Sequence, residues 1–389
     1  MSDRRIGFYP RFSISLFVLL LSLTACSPPQ RISAAERMFR DFSLEFVDQY
    51  EIPKTSYQDT VVGGLSAIAY DREQDLFYVL SDDRGRRSPA RFYRFKLELK
   101  QTDAAQIKIA SFEPKNVTLL LDESGKQYPQ GAIDPEGLTI SPRNTIFISS
   151  EGDPTQDIAP FIAEFAPETG KKLSNLRLPQ RFLADESSEP SEPQGIQENL
   201  AFESLTINRI GLPKDPFRLF TATESALLQD ESFEGEEQAR VRFLHYVINP
   251  VGKPVLLAEH LYLLEPAPVE VISNGLTELL ALQKEGYFLS LERTYGFTGA
   301  GAKIFQVVIG NATDTSNIVS LRGNISQVQP LRKELLFDLQ ELGIYLDNFE
   351  GMTIGPRLPD GSNSLLLISD DNFNDEQISQ LFLFRLVEN

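Results

Sequence analysis

The chain has 389 residues, 41% of them hydrophobic, and its 55 acidic and 37 basic residues give a net charge of −18. This charge disfavours nucleic acid and anionic membrane surfaces as electrostatic partners. The single cysteine excludes an intrachain disulfide, so packing, or a metal, must hold the fold together.

Residues 1–26 have the features of a bacterial lipoprotein signal peptide. Three arginines in the first eleven residues precede the apolar run Ile14–Leu23, which is too short to span a bilayer as a mature helix. The run ends in Leu-Thr-Ala-Cys26, which resembles the lipobox, a motif whose cysteine is lipidated. We expect export, a lipid anchor at Cys26 and a periplasm-facing location on the envelope. The alternative is an ordinary signal peptide with a chance cysteine.

Residues 27–40 are polar and contain two adjacent prolines, which is typical of a tether. The sequence therefore predicts three segments: a signal peptide over 1–26, a tether over 27–40 and a domain over 41–389.

Five similar hairpins recur in the predicted domain. Each has an alternating apolar strand, a turn rich in Gly, Pro, Asn or Asp, and a β-rich strand that runs back to charged residues. Glycine or serine recurs at one position of the first strand, at intervals of about 70 residues. The hairpins are Gly63–Gly85, Asp134–Gly152, Asn199–Ser225, Asn274–Arg293 and Asn348–Asp371.

Hairpins repeated in this way predict an all-β propeller, a single closed domain of about six blades. Five blades are visible, and a count of five, six or seven stays open. A sixth blade could combine Lys303–Ile309 with Phe42–Phe46. The last strand, Gln380–Leu386, should pair near the N-terminal strand and close the ring, which removes sheet edges.

Other segments fall outside the five hairpins. Phe92–Leu99 and Val117–Leu121 have the composition of outer strands. Two acidic stretches, 180–198 and 229–238, are interpreted as loops that either overhang one end of the ring or are solvated insertions.

The sequence lacks the residues required by several common catalytic mechanisms. The sequence has no Gly-x-Ser-x-Gly elbow and no phosphate-binding Gly-x-x-x-x-Gly-Lys-Ser/Thr loop. Its two histidines, His245 and His260, lie outside the hairpins, which disfavours a histidine triad or a zinc site.

The remaining candidates for chemistry are carboxylates. Folding each hairpin about its turn should place Glu136 opposite Glu151, Glu203 opposite Glu224 and Glu350 opposite Asp370, at one end of the ring. Like charges so close repel, so the arrangement is costly unless water, a base or a cation compensates for it. Hard oxygen ligands in this number suit Ca²⁺. The candidate metal ligands are Asp82, Asp83, Glu136, Glu151, Glu203, Glu224, Glu292, Glu350, Asp370 and Asp371.

Two arginines follow these acids. Arg84 and Arg293 could neutralise neighbouring acids or clamp a phosphate or carboxylate. A cation beside an arginine would polarise an ester and lower the pKa of bound water. We therefore predict Glu136, Glu203, Arg84 and Arg293 as catalytic residues. The alternative is that each acid serves its own turn.

The hairpin motifs resemble the bacterial "esterase-like activity of phytase" family. The resemblance covers about residues 60–375 and implies an exported β-propeller with phosphoesterase or esterase activity. The matching motifs are Gly64-Leu-Ser-Ala-Ile68, Ser81-Asp-Asp-Arg-Gly85, Asp134-Pro-Glu-Gly-Leu138, Glu203-Ser-Leu205, Asn348-Phe-Glu-Gly-Met352 and Ser369-Asp-Asp-Asn372.

The expected function is a metal-dependent hydrolase, with Ca²⁺ as the cofactor, that acts on small-molecule phosphate or carboxylic esters. The alternatives are a non-catalytic propeller that binds a ligand or a protein, and a lactonase-type metal propeller. In each case the membrane is contacted only through the lipid anchor.

Overall fold

The computed structural model describes residues 38–102, 106–184, 193–208, 212, 214–231, 238–266, 271–297 and 299–388. Asp41–Asn389 forms a compact unit by itself. The predicted signal peptide, Cys26, nearly all of the tether, and residues 185–192 and 232–237 of the acidic loops lie outside the described ranges. Within those ranges, no helix has the length and apolar character needed to cross a membrane.

Five four-stranded antiparallel sheets form the blades of a β-propeller. The chain begins with β1 (Phe42–Ile52) and a small hairpin, β2 (Thr55–Tyr57) and β3 (Thr60–Val62). Blade 1 contains β4 (Ala67–Asp71), β5 (Leu76–Ser81), β6 (Arg91–Gln101) and β7 (Ile107–Leu119). Blade 2 contains β8 (Pro135–Ile140), β9 (Ile146–Ser150), β10 (Phe161–Phe165) and β11 (Lys172–Asn175). Blade 3 contains β12 (Phe202–Asn208), β13 (Phe217–Thr223), β14 (Arg240–Ile248) and β15 (Val255–Leu263).

The remaining two blades complete the ring. Blade 4 contains β16 (Val271–Ala281), β17 (Tyr287–Gly296), β18 (Gly299–Val308) and β19 (Arg332–Asp338). Blade 5 contains β20 (Asn348–Ile354), β21 (Asn363–Asp370), β22 (Ser379–Glu388) and, as its outer strand, β1. Short 3-10 turns occupy Pro154–Gln156, Gln180–Phe182, Leu228–Asp230 and Leu339–Leu342.

The first strands of the blades surround the axis. Each of β4, β8, β12, β16 and β20 contacts the first strand of the next blade, and β20 contacts β4. The described ring therefore has five blades, and the sixth blade that the sequence left open does not form. Lys303–Ile309 belongs mostly to β18, and Phe42–Phe46 lies in β1. Both segments are strands, as predicted, but each completes a blade that the hairpins had already revealed.

The two ends of the domain pair with each other. β1 runs antiparallel to β22, from Phe42 opposite Glu388 to Ile52 opposite Ser379. Phe46 packs edge-on against Phe382 and Phe384, each with a centroid distance of 5.5 Å. The prediction that the last strand closes the ring is confirmed, and β1 covers the outer edge of β22 as the fourth strand of blade 5.

The core lies between adjacent blades. The middle strands are buried on both faces because each blade packs against two neighbours, so their sequences are nearly continuous apolar runs. Leu365–Ile368 in β21 and Leu381–Phe384 in β22 are fully buried. Hydrophobic clusters join blade 5 to blade 1 and blade 4 to blade 5, so the core is continuous around these blades.

Glycine allows two first strands to approach. A methyl group at Gly137 in β8 would overlap the backbone carbonyl oxygen of Glu203 in β12. Both atoms belong to tightly packed strands next to the axis, so neither can move away cheaply.

We predict that Gly137→Ala lowers the free energy of unfolding by about 1–3 kcal/mol, because overpacking forces the first strands apart. Urea denaturation measures the change. Gly310→Ala is the matched control, since its nearest neighbour is Val308 Cγ1 at 3.7 Å. The control should change stability by less than about 1 kcal/mol. Equal effects of the two substitutions would contradict the close approach.

Candidate functional site

A cavity of about 220 Å³ opens at the end of the axis where the first strands begin and the second strands end. All five blades contribute to its walls. Its lining residues are Asp82, Arg84, Glu136, Glu151, Asn199, Glu203, Arg293, Tyr295, Asn348, Glu350, Asp370, Asn372 and Gln377. Six carboxylates thus face two guanidinium groups in one small space.

A β-bulge in the first strand aims glutamates into the cavity. In β12, Phe202 pairs with Thr223 and Ser204 with Ala222, so Glu203 has no partner in the ladder. In β20, the register shifts in the same way around Glu350. β8 has a shift between Pro135 and Leu138, which contains Glu136. Bulges of this kind redirect a side chain without ending the strand.

The observed register differs from the predicted cross-strand pairs by two positions, one of which comes from the bulge. The Glu151 amide donates to the Asp134 carbonyl (3.0 Å), and the Glu224 amide donates to the Ala201 carbonyl (2.6 Å). Asp370 pairs with Asn348. The prediction that Glu136, Glu203 and Glu350 stand directly opposite their partners was therefore wrong, although both members of each pair lie in or beside the cavity. A one-residue bulge leaves no mark in an alternating pattern.

Blade 4 departs from the other blades. Its Arg293 pairs with Gly275, which is the place that Asp370 and Glu151 take in their own blades. The alignment of the five hairpins within the sequence had assigned this place to Glu292, one residue away. Gly275 leaves room for a neighbour, because a methyl group there would overlap the carboxylate of Glu224. Blade 4 therefore supplies a positive charge where other blades supply a negative one.

Four of the predicted metal ligands are not among the described residues that line the cavity. Glu224 stands behind its wall and pairs with Arg293 (3.1 Å), and the other three have structural partners. Glu292 alternates with Arg293 and faces the other way, where it accepts from Tyr262 Oη (2.6 Å) and pairs with Lys333 (2.5 Å). Asp83 forms a buried ion pair with Arg91 (2.9 Å) and accepts three amides of its own loop.

Asp371 is the third. Its Oδ1 accepts from the amides of Gly64 (2.9 Å) and Phe373 (3.1 Å). These bonds hold the loop that follows β21 against the start of blade 1, which is the structural role left open as the alternative for single acids.

The two arginines are held by carboxylates. Arg84 Nε donates to Asp134 Oδ1 (2.7 Å), and its Nη2 donates to Asn199 Oδ1 (2.6 Å). Arg293 Nη2 donates to Glu224 Oε1 (3.1 Å) and lies 3.6 Å from Glu350 Oε1. Both guanidinium groups line the cavity, so they are positioned to meet an anion that enters it.

Asp134, Glu136 and Glu151 are the group that could hold a metal ion. One oxygen from each lies within 4.8 Å of the others. Asp134 was missed as a ligand from the sequence, because only the bulge brings it opposite Glu151. Its place two residues before Glu136 in the Asp134-Pro-Glu-Gly motif was the available signal.

Two further carboxylate oxygens have no hydrogen-bond partner among the described residues. Glu203 is 8% exposed and lines the cavity, and its Oε2 is buried without a partner. Asp82 Oδ1 is in the same condition. A buried carboxylate oxygen left in this state is costly, so each site favours a proton or a cation.

Burial and mutual repulsion raise the pKa values of the cavity acids. Burial, helped by Asp134 and Asp83, raises the pKa of Asp82 to about 7. Burial raises the pKa of Glu350 to about 8, although Arg293 opposes the change. Burial and neighbouring carboxylates also hold the pKa values of four other lining acids well above their usual range: Glu136, Glu151, Glu203 and Asp370.

These residues fit a hard divalent cation. The donors are carboxylate oxygens, the ligands that Ca²⁺ and Mg²⁺ prefer, and the nearby amides of Asn199 and Asn348 add neutral oxygens. No sulfur or imidazole lines the described cavity, which disfavours the softer metals.

The fold and cavity define a five-bladed propeller with an acidic axial site, and its sequence places it in a family. The chain belongs to the phytase-like family, described as "esterase-like activity of phytase", whose sequence model matches residues 60–373. No curated protein matches the chain.

Solved structures resemble this chain at low identity. An endo-arabinase from Bacteroides thetaiotaomicron has 11% identity and a TM-score of 0.40, covering 84% of this chain and 95% of its own. The N-terminal domain of Nup159 has 11% identity and a TM-score of 0.33, with coverage of 90% and 97%. The Neurospora crassa Pan2 WD40 domain has 8% identity and a TM-score of 0.32, with coverage of 90% and 97%. Similarity at this level says nothing of activity.

We predict that the protein without divalent cations loses stability as the pH rises from about 5 to about 8. The folded-state pKa values of the cavity acids exceed the unfolded value of about 4, so the folded state keeps protons that the unfolded state has released. That stabilisation is lost as the pH rises through the folded-state pKa values. Added Ca²⁺ should therefore raise the Tm more at about pH 8 than at about pH 5.

The readout is the difference in Tm between calcium and chelator at each pH, since titration elsewhere in the chain affects both samples. The variant Glu136→Gln with Glu203→Gln should lose most of this difference. A calcium effect that does not change with pH, or that survives in the variant, would place the cation outside the cavity.

Proposed function

We propose that the chain binds a divalent cation, best matched by Ca²⁺, in the axial cavity and uses it to hydrolyse phosphate or carboxylic esters of small molecules. The observation that carries the proposal is the triad of Asp134, Glu136 and Glu151 beside two guanidinium groups in one open cavity. The description of the family as esterase-like supports hydrolysis over binding alone.

The triad supplies the cation site. Its three carboxylates come from the start of β8 and the end of β9, two strands that the blade holds rigidly, so the donor oxygens are positioned before any ligand arrives. When bound, a divalent cation would polarise the ester oxygen and lower the pKa of water.

The arginines supply the anion site. Arg293 stays charged, because Glu224, Glu350 and Glu203 raise its pKa against the effect of burial. Its Nη2 is shared between two carboxylates at 3.1 and 3.6 Å, while its Nε has no hydrogen-bond partner among the described residues. Arg84 lines the same cavity while it pairs with Asp134. Together they would orient a phosphate or a developing oxyanion.

Glu203 supplies a proton. Burial and the neighbouring Glu224 and Glu350 hold its pKa well above the usual range, which favours its protonated form. A protonated carboxyl group in the cavity can donate that proton to the leaving oxygen of an ester. This assigns Glu136 to the cation and Glu203 to acid catalysis.

Export and lipid anchoring are part of the same proposal, and residues 1–26 support them. Cys26→Ala should prevent incorporation of labelled palmitate and release the protein from the membrane fraction. Incorporation that persists in the variant would contradict lipidation at Cys26.

We predict that the purified protein cleaves 4-nitrophenyl phosphate or 4-nitrophenyl acetate in the presence of Ca²⁺ and that a chelator abolishes the activity. Glu136→Gln removes a ligand and should reduce kcat/KM at least about tenfold at fixed calcium, with partial recovery at higher calcium. Release of 4-nitrophenol measures the rate.

Glu334→Gln is the matched control, because Glu334 is an exposed carboxylate on the outer strand β19. It should leave kcat/KM unchanged. A calcium-dependent rise in Tm without turnover on either ester would favour the alternative of a binding propeller. No calcium effect on Tm or rate would remove the cation site as well.

A further inference from the structure

Three aromatic side chains at or near the cavity mouth are exposed to solvent. Tyr295 lines the cavity and is 43% exposed, and the neighbouring Phe297 and Tyr345 are 84% and 60% exposed. We call these three residues the aromatic lip. Single exposed aromatic residues are common on protein surfaces. A group of them next to a polar cavity is a feature of ligand sites, where rings supply contact area beside a few polar groups.

The lip is a continuation of the strand that carries Arg293. Side chains alternate along β17, so Arg293 and Tyr295 point to the same face, the first inside the cavity and the second at its wall. β17 ends at Gly296, which pairs with Gly299, and Phe297 lies in the turn between them. The hairpin of β17 and β18 therefore extends from the cavity outwards.

Small residues leave the ring of Tyr295 uncovered. Its partner on β18 is Ala300, and the partner of Arg293 is Ala302. Neither alanine can cover an adjacent aromatic face, so the ring stays accessible to a ligand.

Tyr345 reaches the lip from blade 5. Its Oη donates to Asp347 Oδ2 (3.1 Å), and its carbonyl accepts from Gln380 Nε2 (3.1 Å), so the loop before β20 is fixed. Burial raises the pKa of Tyr345, Asp347 adds to this, and so does the phenol of Tyr295, which places the two phenols near each other.

We infer that the aromatic lip binds the organic part of the ester and that this part contains an aromatic ring. The inference rests on the proposed function and specifies its substrate class. Residues two apart in a strand are about 7 Å apart, so an anionic group at Arg293 and a ring against Tyr295 belong to one small molecule.

The charges of the side chains that line the cavity favour a ligand with a single anionic group. Arg84 and Arg293 are the only cationic side chains among the described lining residues, and both already contact carboxylates. A ligand with several phosphates would leave most of them facing carboxylates, which repel them. One phosphate or carboxylate joined to a ring uses both the guanidinium groups and the lip.

The test compares two probes with the same anionic group and different organic parts, phenylphosphonate and methylphosphonate. Both are measured as competitive inhibitors of the calcium-loaded protein, or by calorimetry. Phenylphosphonate should bind the unmodified protein about threefold to tenfold more tightly, which is the size of one good ring contact. Tyr295→Ala should remove most of this preference and leave methylphosphonate binding unchanged.

Tyr295→Phe keeps the ring and should keep the preference, which separates a ring contact from a hydrogen bond. Leu257→Ala is the control for loss of an exposed apolar side chain, because Leu257 is 42% exposed on β15 of blade 3. It should change neither affinity. The Tm of each variant confirms that it folds.

The outcomes separate this inference from the proposed function. Equal binding of the two probes, or a ring preference that survives Tyr295→Ala, would contradict ring binding by the aromatic lip. Ester turnover in the same sample would show that the proposed hydrolase activity is nevertheless present. A ring preference lost in Tyr295→Ala supports the lip even if no ester is cleaved. Failure of both probes to bind would overturn the lip and the anion site together.

Discussion

Repulsion between carboxylates at one end of the axis is the constraint on which the site depends. Six acids and two arginines share a cavity of about 220 Å³, and Asp134 and Glu224 stand directly behind them. Fully ionised, this group would strongly oppose folding. The packed blades supply the stability that holds it in place, and protons or a cation must supply the missing positive charge. The architecture therefore favours either protonated acids or a cation in the cavity.

The repeated blades bring carboxylates together at the axis, and blade 4 places an arginine there instead of an acid. A bulge at the same place in the first strands of blades 2, 3 and 5 aims Glu136, Glu203 and Glu350 inwards, and the ends of the second strands add a further acid in most blades. Blade 4 has Arg293 instead. With Arg84 of blade 1, Arg293 gives the cavity two guanidinium groups besides the triad, so that a cation and an anion could be held in the same space. An ester, whose polarised oxygens need both charges, is the ligand class that we propose for such a pair.

The hairpin of β17 and β18 carries both a charged side chain and aromatic side chains of the site. It carries Arg293 inside the cavity, Tyr295 at the wall and Phe297 at the tip, so one strand pair offers an ion contact and a ring contact in sequence. Blade 4 thus differs from the other blades in both respects. In the proposed function, blade 4 would therefore contribute to substrate specificity through both Arg293 and Tyr295.

Local patterns of alternation and turn residues were sufficient to predict the repeat, the propeller class, the closing strand and the convergence of acids at one end. The sequence did not determine the count of five blades, since Phe42–Phe46 finds its blade only through pairing with the distant strand β22, while Lys303–Ile309 continues the hairpin of β17. It also missed Asp134, and it included Asp83, Glu292 and Asp371. A bulge shifts a ladder by one residue, and strand alternation sends Glu292 and Arg293 to opposite faces. Only the tertiary structure decides which face of a strand meets the axis, because that choice depends on packing between blades and not on the strand's own sequence.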